Sequence, residues 1–76
     1  MKDSPVNLLL KELIHFDKTS ATSVYIQISQ QIINAIQRGY LKEGMALPGT
    51  RVFSQLLNIH RNTAVAIYDE LASQGW

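Results

Sequence analysis

Between Thr50 and Asp69 the apolar residues fall where two short helices crossing at a steep angle need them. With Thr50 as the first of twenty positions, such a pair requires apolar side chains at positions 4, 8, 10, 15 and 18, which lock one helix onto the other. The chain places Phe53, Leu57, Ile59, Ala64 and Ile67 there. Position 5 lies at the crossing and has to be small, and it is Ser54. Position 9 lies in the turn and has to tolerate a positive φ. Asn58 stands there, one of the few non-glycine residues that enters the left-handed region cheaply. The pattern predicts a helix-turn-helix, with helices over Thr50 to Leu57 and from Arg61 to about Gln74, and Gly75 as the final stop. Spacing alone also admits a plain helical hairpin whose apolar residues only fill a core.

The rest of the chain has to complete that core. Its 76 residues suffice for one compact domain, and a composition 46% hydrophobic and 17% charged argues against disorder. Residues 4–17 read as a first helix: Ser4 caps it, Pro5 takes its first position, and Val6, Leu9, Leu10 and Leu13 form one apolar stripe. Ile14-His15-Phe16 either extends this helix or runs as a strand, and residues 17–22 form a polar connector. From Ser23, a helix of about fifteen residues turns Tyr25, Ile28, Ile32, Ala35 and Ile36 inward and Gln27, Gln30, Gln31, Asn34 and Gln37 to other faces. Arg38 suits its last turn and Gly39 its left-handed stop. Three glycines and a proline make residues 39–49 a turn region, with Met45-Ala46-Leu47 as one short strand. A new helix can begin only after Pro48.

Three features extend the motif toward DNA. The start of its second helix, the end that meets the major groove in a helix-turn-helix, reads His60-Arg61-Asn62-Thr63. Open backbone N–H groups and the Arg61 charge attract phosphate there, Asn62 can pair with adenine, and Thr63 reaches a phosphate or a thymine methyl. For His60, a cap and a contact are equally good readings. Second, Ala64, Ile67, Tyr68 and Leu71 point inward, so Asn62, Val65, Ala66 and Asp69 take the outer face. Val65 and Ala66 there suit a surface that slides against base edges, although alanine is also the best helix former. Third, the net charge of +1 hides a local excess: Arg38, Lys42, Arg51 and Arg61 are opposed over residues 38–61 only by Glu43. Neutralising three phosphates would give a log–log salt slope of roughly −3.

Leu47-Pro48-Gly49-Thr50-Arg51, Asn58-Ile59-His60-Arg61-Asn62-Thr63, Tyr68-Asp69-Glu70-Leu71 and Gly75-Trp76 together resemble the winged helix-turn-helix of GntR-family bacterial transcription regulators. Val24-Tyr25-Ile26-Gln27-Ile28 and Ile36-Gln37-Arg38-Gly39-Tyr40-Leu41 also fit, so the likeness covers about residues 22–76. Arg61-Asn62-Thr63, then Ala66-Ile67-Tyr68-Asp69-Glu70-Leu71 and the closing Gly75-Trp76, are most similar to the MocR branch. The resemblance implies DNA contacts by Arg51 and by the cluster from His60 to Thr63. It also implies a two-stranded wing, which this chain lacks, paired with a strand near Ala46-Leu47. Asn58 stands where the family usually has glycine. The chain is therefore expected to be a piece of a longer regulator: residues 1–21 an N-terminal helix and connector, residues 22–76 the DNA-binding domain. If the MocR likeness holds, the missing C-terminal part resembles an aminotransferase domain binding pyridoxal phosphate, and no cofactor is expected in the 76 residues themselves.

Other function classes fit less well. Without cysteine there is no disulfide framework, thiolate metal site or cysteine nucleophile. His15, His60 and six scattered acids form no catalytic set, and the glycines form no phosphate loop, so an enzyme is not expected. No apolar run approaches the ~20 residues of a membrane span, and the expected setting is cytoplasmic. A helical protein-interaction or dimerisation module is the better rival. The surplus apolar stripe of residues 4–16 packs either within the chain or, less favourably, on a second copy as a homodimer. The expected fold is thus mainly α, a three-helix winged helix-turn-helix core without its wing, plus an N-terminal helix. The expected partner is double-stranded DNA, contacted by Arg51, His60, Arg61, Asn62, Thr63, Val65 and Ala66.

Overall fold

The computed structural model describes residues 5–41 and 47–76, with side chains from Asn7 onward. Four helices follow in order: α1 Pro5–Leu13, α2 Val24–Gln37, α3 Thr50–Leu57 and α4 Arg61–Ser73. No strand occurs among the described residues. The expected cap at Ser4, the side chain of Val6, the strand at Met45-Ala46 and the charges of Lys42 and Glu43 lie outside them.

α4 is the shared wall of the bundle, packed against both α2 and α3, while α1 packs against α3. One core joins all four helices. Leu10 and Ile14 enter it from the N-terminal segment, Ile28, Ile32 and Ala35 from α2, Phe53 and Leu57 from α3, and Ala64, Ile67 and Leu71 from α4. Ile59, in the turn, is half-buried against it, so all five locking positions face inward. Within the chain, the N-terminal stripe packs mainly on α3, and Leu13 also borders Gln31, Asn34 and Ala35 of α2. The Phe53 and Tyr68 rings meet at the α3–α4 crossing with centroids 5.1 Å apart and planes tilted by 55°, a favourable offset for two aromatic quadrupoles.

Three helices end in the same way. Gly39 and Gly75, both at φ 83°, and Asn58, at φ 55°, turn the chain into the left-handed region. At each, the residue's N–H and the next one reach back to carbonyls of the last turn: Asn58 N–H to Gln55 and Ile59 N–H to Ser54, Gly39 to Ile36 and Tyr40 to Ala35, Gly75 to Ala72 and Trp76 to Leu71. These bonds satisfy carbonyls a helix end leaves open, and the positive φ explains the residue types. After Gly39 the chain drops Leu41 into the core, a burial its sequence neighbourhood did not announce.

Several boundaries and faces differ from expectation. α1 stops at Leu13, and residues 14–16 are neither helix nor strand. Two side chains of α2 hold this stretch instead. Gln31 accepts the His15 N–H through Oε1 at 2.8 Å and donates from Nε2 to the His15 carbonyl. One turn earlier, Gln27 accepts the Asp17 N–H at 2.9 Å and donates to the Asp17 and Thr22 carbonyls at 2.9 and 2.7 Å. Each amide imitates a peptide group, so the connector pairs with α2 as a strand pairs with a neighbour. Both glutamines lie off the apolar stripe as expected, but their part in the fold is not visible from that position alone. Ser29 is buried beside Ile28 and donates its Oγ to the Tyr25 carbonyl at 2.6 Å, which satisfies a hydroxyl in an apolar setting. Tyr25 and Ile36 are only half-buried, Arg38 caps α2 from just beyond its last residue, and α4 ends at Ser73 with Gln74 as cap.

Candidate nucleic-acid interface

The head of α4 is built by His60. Its backbone is extended (φ −66°, ψ 146°), and its Nδ1 accepts the Asn62 N–H at 3.0 Å. His60 is therefore a cap, one of the two roles its position allowed. With Nδ1 accepting, the neutral ring carries its proton on Nε2, so the exposed side chain presents a donor to solvent. The Thr63 N–H is also taken, by the His60 carbonyl at 3.0 Å. This corrects the expectation of open amides: Asn62 and Thr63 are satisfied within the chain. The main attraction for an anion at this end is the full charge of Arg61.

The side chains sort as the helical period requires. Ala64, Ile67 and Leu71 are buried, while Arg61, Asn62 and Asp69 are exposed. Val65 remains 42% exposed, an apolar side chain facing water in the middle of an otherwise polar face. Thr63 and Ala66 are half-buried because the face curves toward α2. There, Asn62, Thr63 and Ala66 share a cleft of about 280 Å³ with Ser23, Val24 and Tyr25. The first turn of α2 thus borders the head of α4. Nothing in the local sequence of residues 23–25 signals this, because it follows from the crossing of α2 on α4.

Arg51 occupies the first turn of α3, exposed, just after Gly49, whose φ of −63° and ψ of 166° start the helix without a side-chain cap. Among the described residues, neither Arg51 nor Arg61 forms an ion pair. Arg38 stands at the far end of α2 from Ser23, about 20 Å along a fourteen-residue helix. The cations counted together in the sequence therefore do not form one cluster around α4.

Tyr68 ties the two helices of the motif together from behind. Its hydroxyl donates to the Pro48 carbonyl, and burial pushes its pKa up to about 12. The hydroxyl consequently stays protonated, and a donor, throughout the neutral range. No described helix is long and apolar enough to cross a membrane.

Two helices locked by five inward residues around a left-handed Asn58, with a polar cationic head outward, define a helix-turn-helix domain. Comparison with known proteins narrows the class. The chain is 38% identical over 55 residues to the HTH-type pyridoxine biosynthesis transcriptional regulator PdxR of Corynebacterium glutamicum, covering 72% of this chain and 12% of that protein. It is 33% identical over 63 residues to the HTH-type transcriptional repressor YtrA of Bacillus subtilis, covering 83% of this chain and 48% of the relative. Over 64 residues it is 28% identical to the probable rhizopine catabolism regulatory protein MocR of Rhizobium meliloti, covering 84% and 13%. The chain is a GntR-family helix-turn-helix domain. It spans less than half the length of each of these relatives. No family model and no solved structure matches it.

Proposed function

We propose that this domain binds double-stranded DNA in a sequence-specific manner as part of a bacterial transcription regulator, with the head of α4 in the major groove. The observation that carries this reading is the division of α4 between a buried stripe and an outer face of Arg61, Asn62 and exposed Val65. Its support from outside is the naming of all three relatives as regulators, two of them as transcriptional and HTH-type.

The roles divide by chemistry. Arg61 carries a fork of donors suited to guanine, Asn62 an amide donor and acceptor side by side suited to adenine, and Val65 and Ala66 offer apolar contact to thymine methyls. Arg51, on the neighbouring helix, contacts the phosphate backbone. Thr63 and the Nε2–H of His60 reach phosphate or base from the rim of the cleft. The run from Arg61 to Leu71 supports placing the domain in the MocR branch of the family. A homodimer would set two such heads about 34 Å apart on successive major-groove faces.

Selection from a random duplex pool, followed by titration of the selected site at several salt concentrations, tests the reading. Arg61→Ala is expected to weaken the selected site by about 1–3 kcal/mol and to relax its sequence preference. Arg51→Ala should weaken all duplexes alike and lower the salt slope by about one. Failure of the pool to enrich, or indifference of affinity to both changes, would sink the proposal.

A further inference from the structure

Tyr68 lies on neither the outer face of α4 nor the floor of its cleft, yet it reaches from α4 to the residue just ahead of the start of α3. Its ring packs on Phe53, and its hydroxyl reaches the Pro48 carbonyl, twenty residues back in the chain. Pro48 directly precedes Gly49, the uncapped residue from which α3 starts. A glycine at that position offers no side chain to fix the angle at which the chain enters the helix. Arg51 follows within the first turn, so its backbone position depends on how that entry is held. Among the described residues, the other hydrogen bonds at the entry are local, from the Phe53 N–H to the Gly49 carbonyl at 2.9 Å and from Ser54 Oγ to the Arg51 carbonyl at 2.8 Å, and both move with α3 itself.

We infer that Tyr68 is a positioning residue: its bond to Pro48 fixes the offset between Arg51 on α3 and Arg61 and Asn62 on α4. This rests on the DNA-binding reading and deepens it. Backbone phosphates and base edges in one groove stand at fixed separations, so a phosphate contact and a base contact support each other only if the protein holds a matching offset. A tether from the reading helix to the residue ahead of the phosphate-contacting helix supplies it. Burial keeps the hydroxyl a donor well above neutral pH, so the tether does not switch under ordinary conditions. The ring and the hydroxyl have separable tasks, the first holding the α3–α4 crossing and the second registering the loop.

The test is a double-substitution cycle on the whole 76-residue chain, with Tyr68→Phe and Arg51→Ala, alone and combined. The probe is a labelled mixed-sequence duplex of about three helical turns, because phosphate contacts do not depend on sequence. Tyr68→Phe should weaken binding about three- to tenfold and lower the salt slope by about one, as loss of a single phosphate contact does. Added to Arg51→Ala, it should cost little further. Phe53→Leu, which disturbs the same crossing without touching Pro48, serves as the stability control and should leave the slope unchanged. A Tyr68→Phe chain with the wild-type slope, or losses that simply multiply, overturns the inference and leaves the DNA reading standing. The inference is equally overturned if Phe53→Leu lowers the slope as much, since general loosening then explains the effect. A wild-type chain with no salt-dependent duplex binding overturns both.

Discussion

His60 illustrates how one side chain can be committed at one ring nitrogen and open at the other. An imidazole has one acceptor nitrogen when neutral, and here the Asn62 N–H occupies it, so what faces outward is a donor. Replacing His60 by alanine removes the cap and should destabilise the chain by about 1 kcal/mol, read as a lower urea midpoint at unchanged slope. Asparagine at the same position caps well and should recover most of that loss while changing whatever the ring contacts. An alanine variant as stable as the parent would show that the cap contributes nothing. Asn58 stands at φ 55°, where a Cβ without a short polar side chain is strained by roughly 1–2 kcal/mol. Asn58→Ala should therefore cost about 1 kcal/mol or more in the same assay, and Asn58→Gly much less.

Among the elements, α2 has the least expected role. Beyond its apolar stripe, it carries two glutamines one turn apart whose amides hold His15 and Asp17 by their backbones. The N-terminal segment is thereby fastened at both ends of its connector, through Leu10 and Ile14 in the core and through these amides above it. Removing one glutamine should release one residue rather than the whole segment. In native-state hydrogen exchange, Gln31→Ala is expected to speed exchange of the His15 amide and Gln27→Ala that of Asp17, each leaving core amides such as Ile32 protected. The net stability loss should be about 1 kcal/mol per substitution, since water replaces much of each exposed bond. Equal exchange at both amides in either variant would mean that the connector is held by something else.

For the whole molecule, the question is whether α1 belongs to the cooperative unit. Leu10 is fully buried beside Phe53, Ile32 and Ile67 in a single cluster. Leu10→Ala should cost about 2–5 kcal/mol, a large part of the roughly 4–11 kcal/mol expected for a domain of this size. Helicity and Trp76 fluorescence should lose signal in one shared transition. If α1 were an appendage, the variant would melt like the parent. Alkaline pH probes the same core from another side. The Tyr68 pKa is raised to about 12 by burial, so the folded chain holds its proton where an unfolded tyrosine, near 10, releases it. The stability due to this difference is complete below about pH 10 and is lost as pH climbs toward 12. Tyr68→Phe should flatten that part of the pH–stability curve.

The sequence by itself determined where the helices of the motif begin and end and which residues lie between them. Asn58, Gly39 and Gly75 mark left-handed stops, Pro48 bars a helix before it, and the five locking residues have one spacing that closes a crossing. These are local constraints, set by backbone sterics and helical period, and they are readable without neighbours. The outer face of α4 was legible for the same reason, because a period that buries Ala64, Ile67 and Leu71 leaves Asn62 and Val65 outside. Tertiary structure decided what lies across each gap: α2 bordering the head of α4, Gln27 and Gln31 turned onto the connector, Leu41 drawn into the core, and Tyr68 bound to Pro48. Each of these joins residues from separate elements through contacts that depend on how whole helices cross. A glutamine or tyrosine looks the same in a sequence whether its polar end meets water or a distant carbonyl.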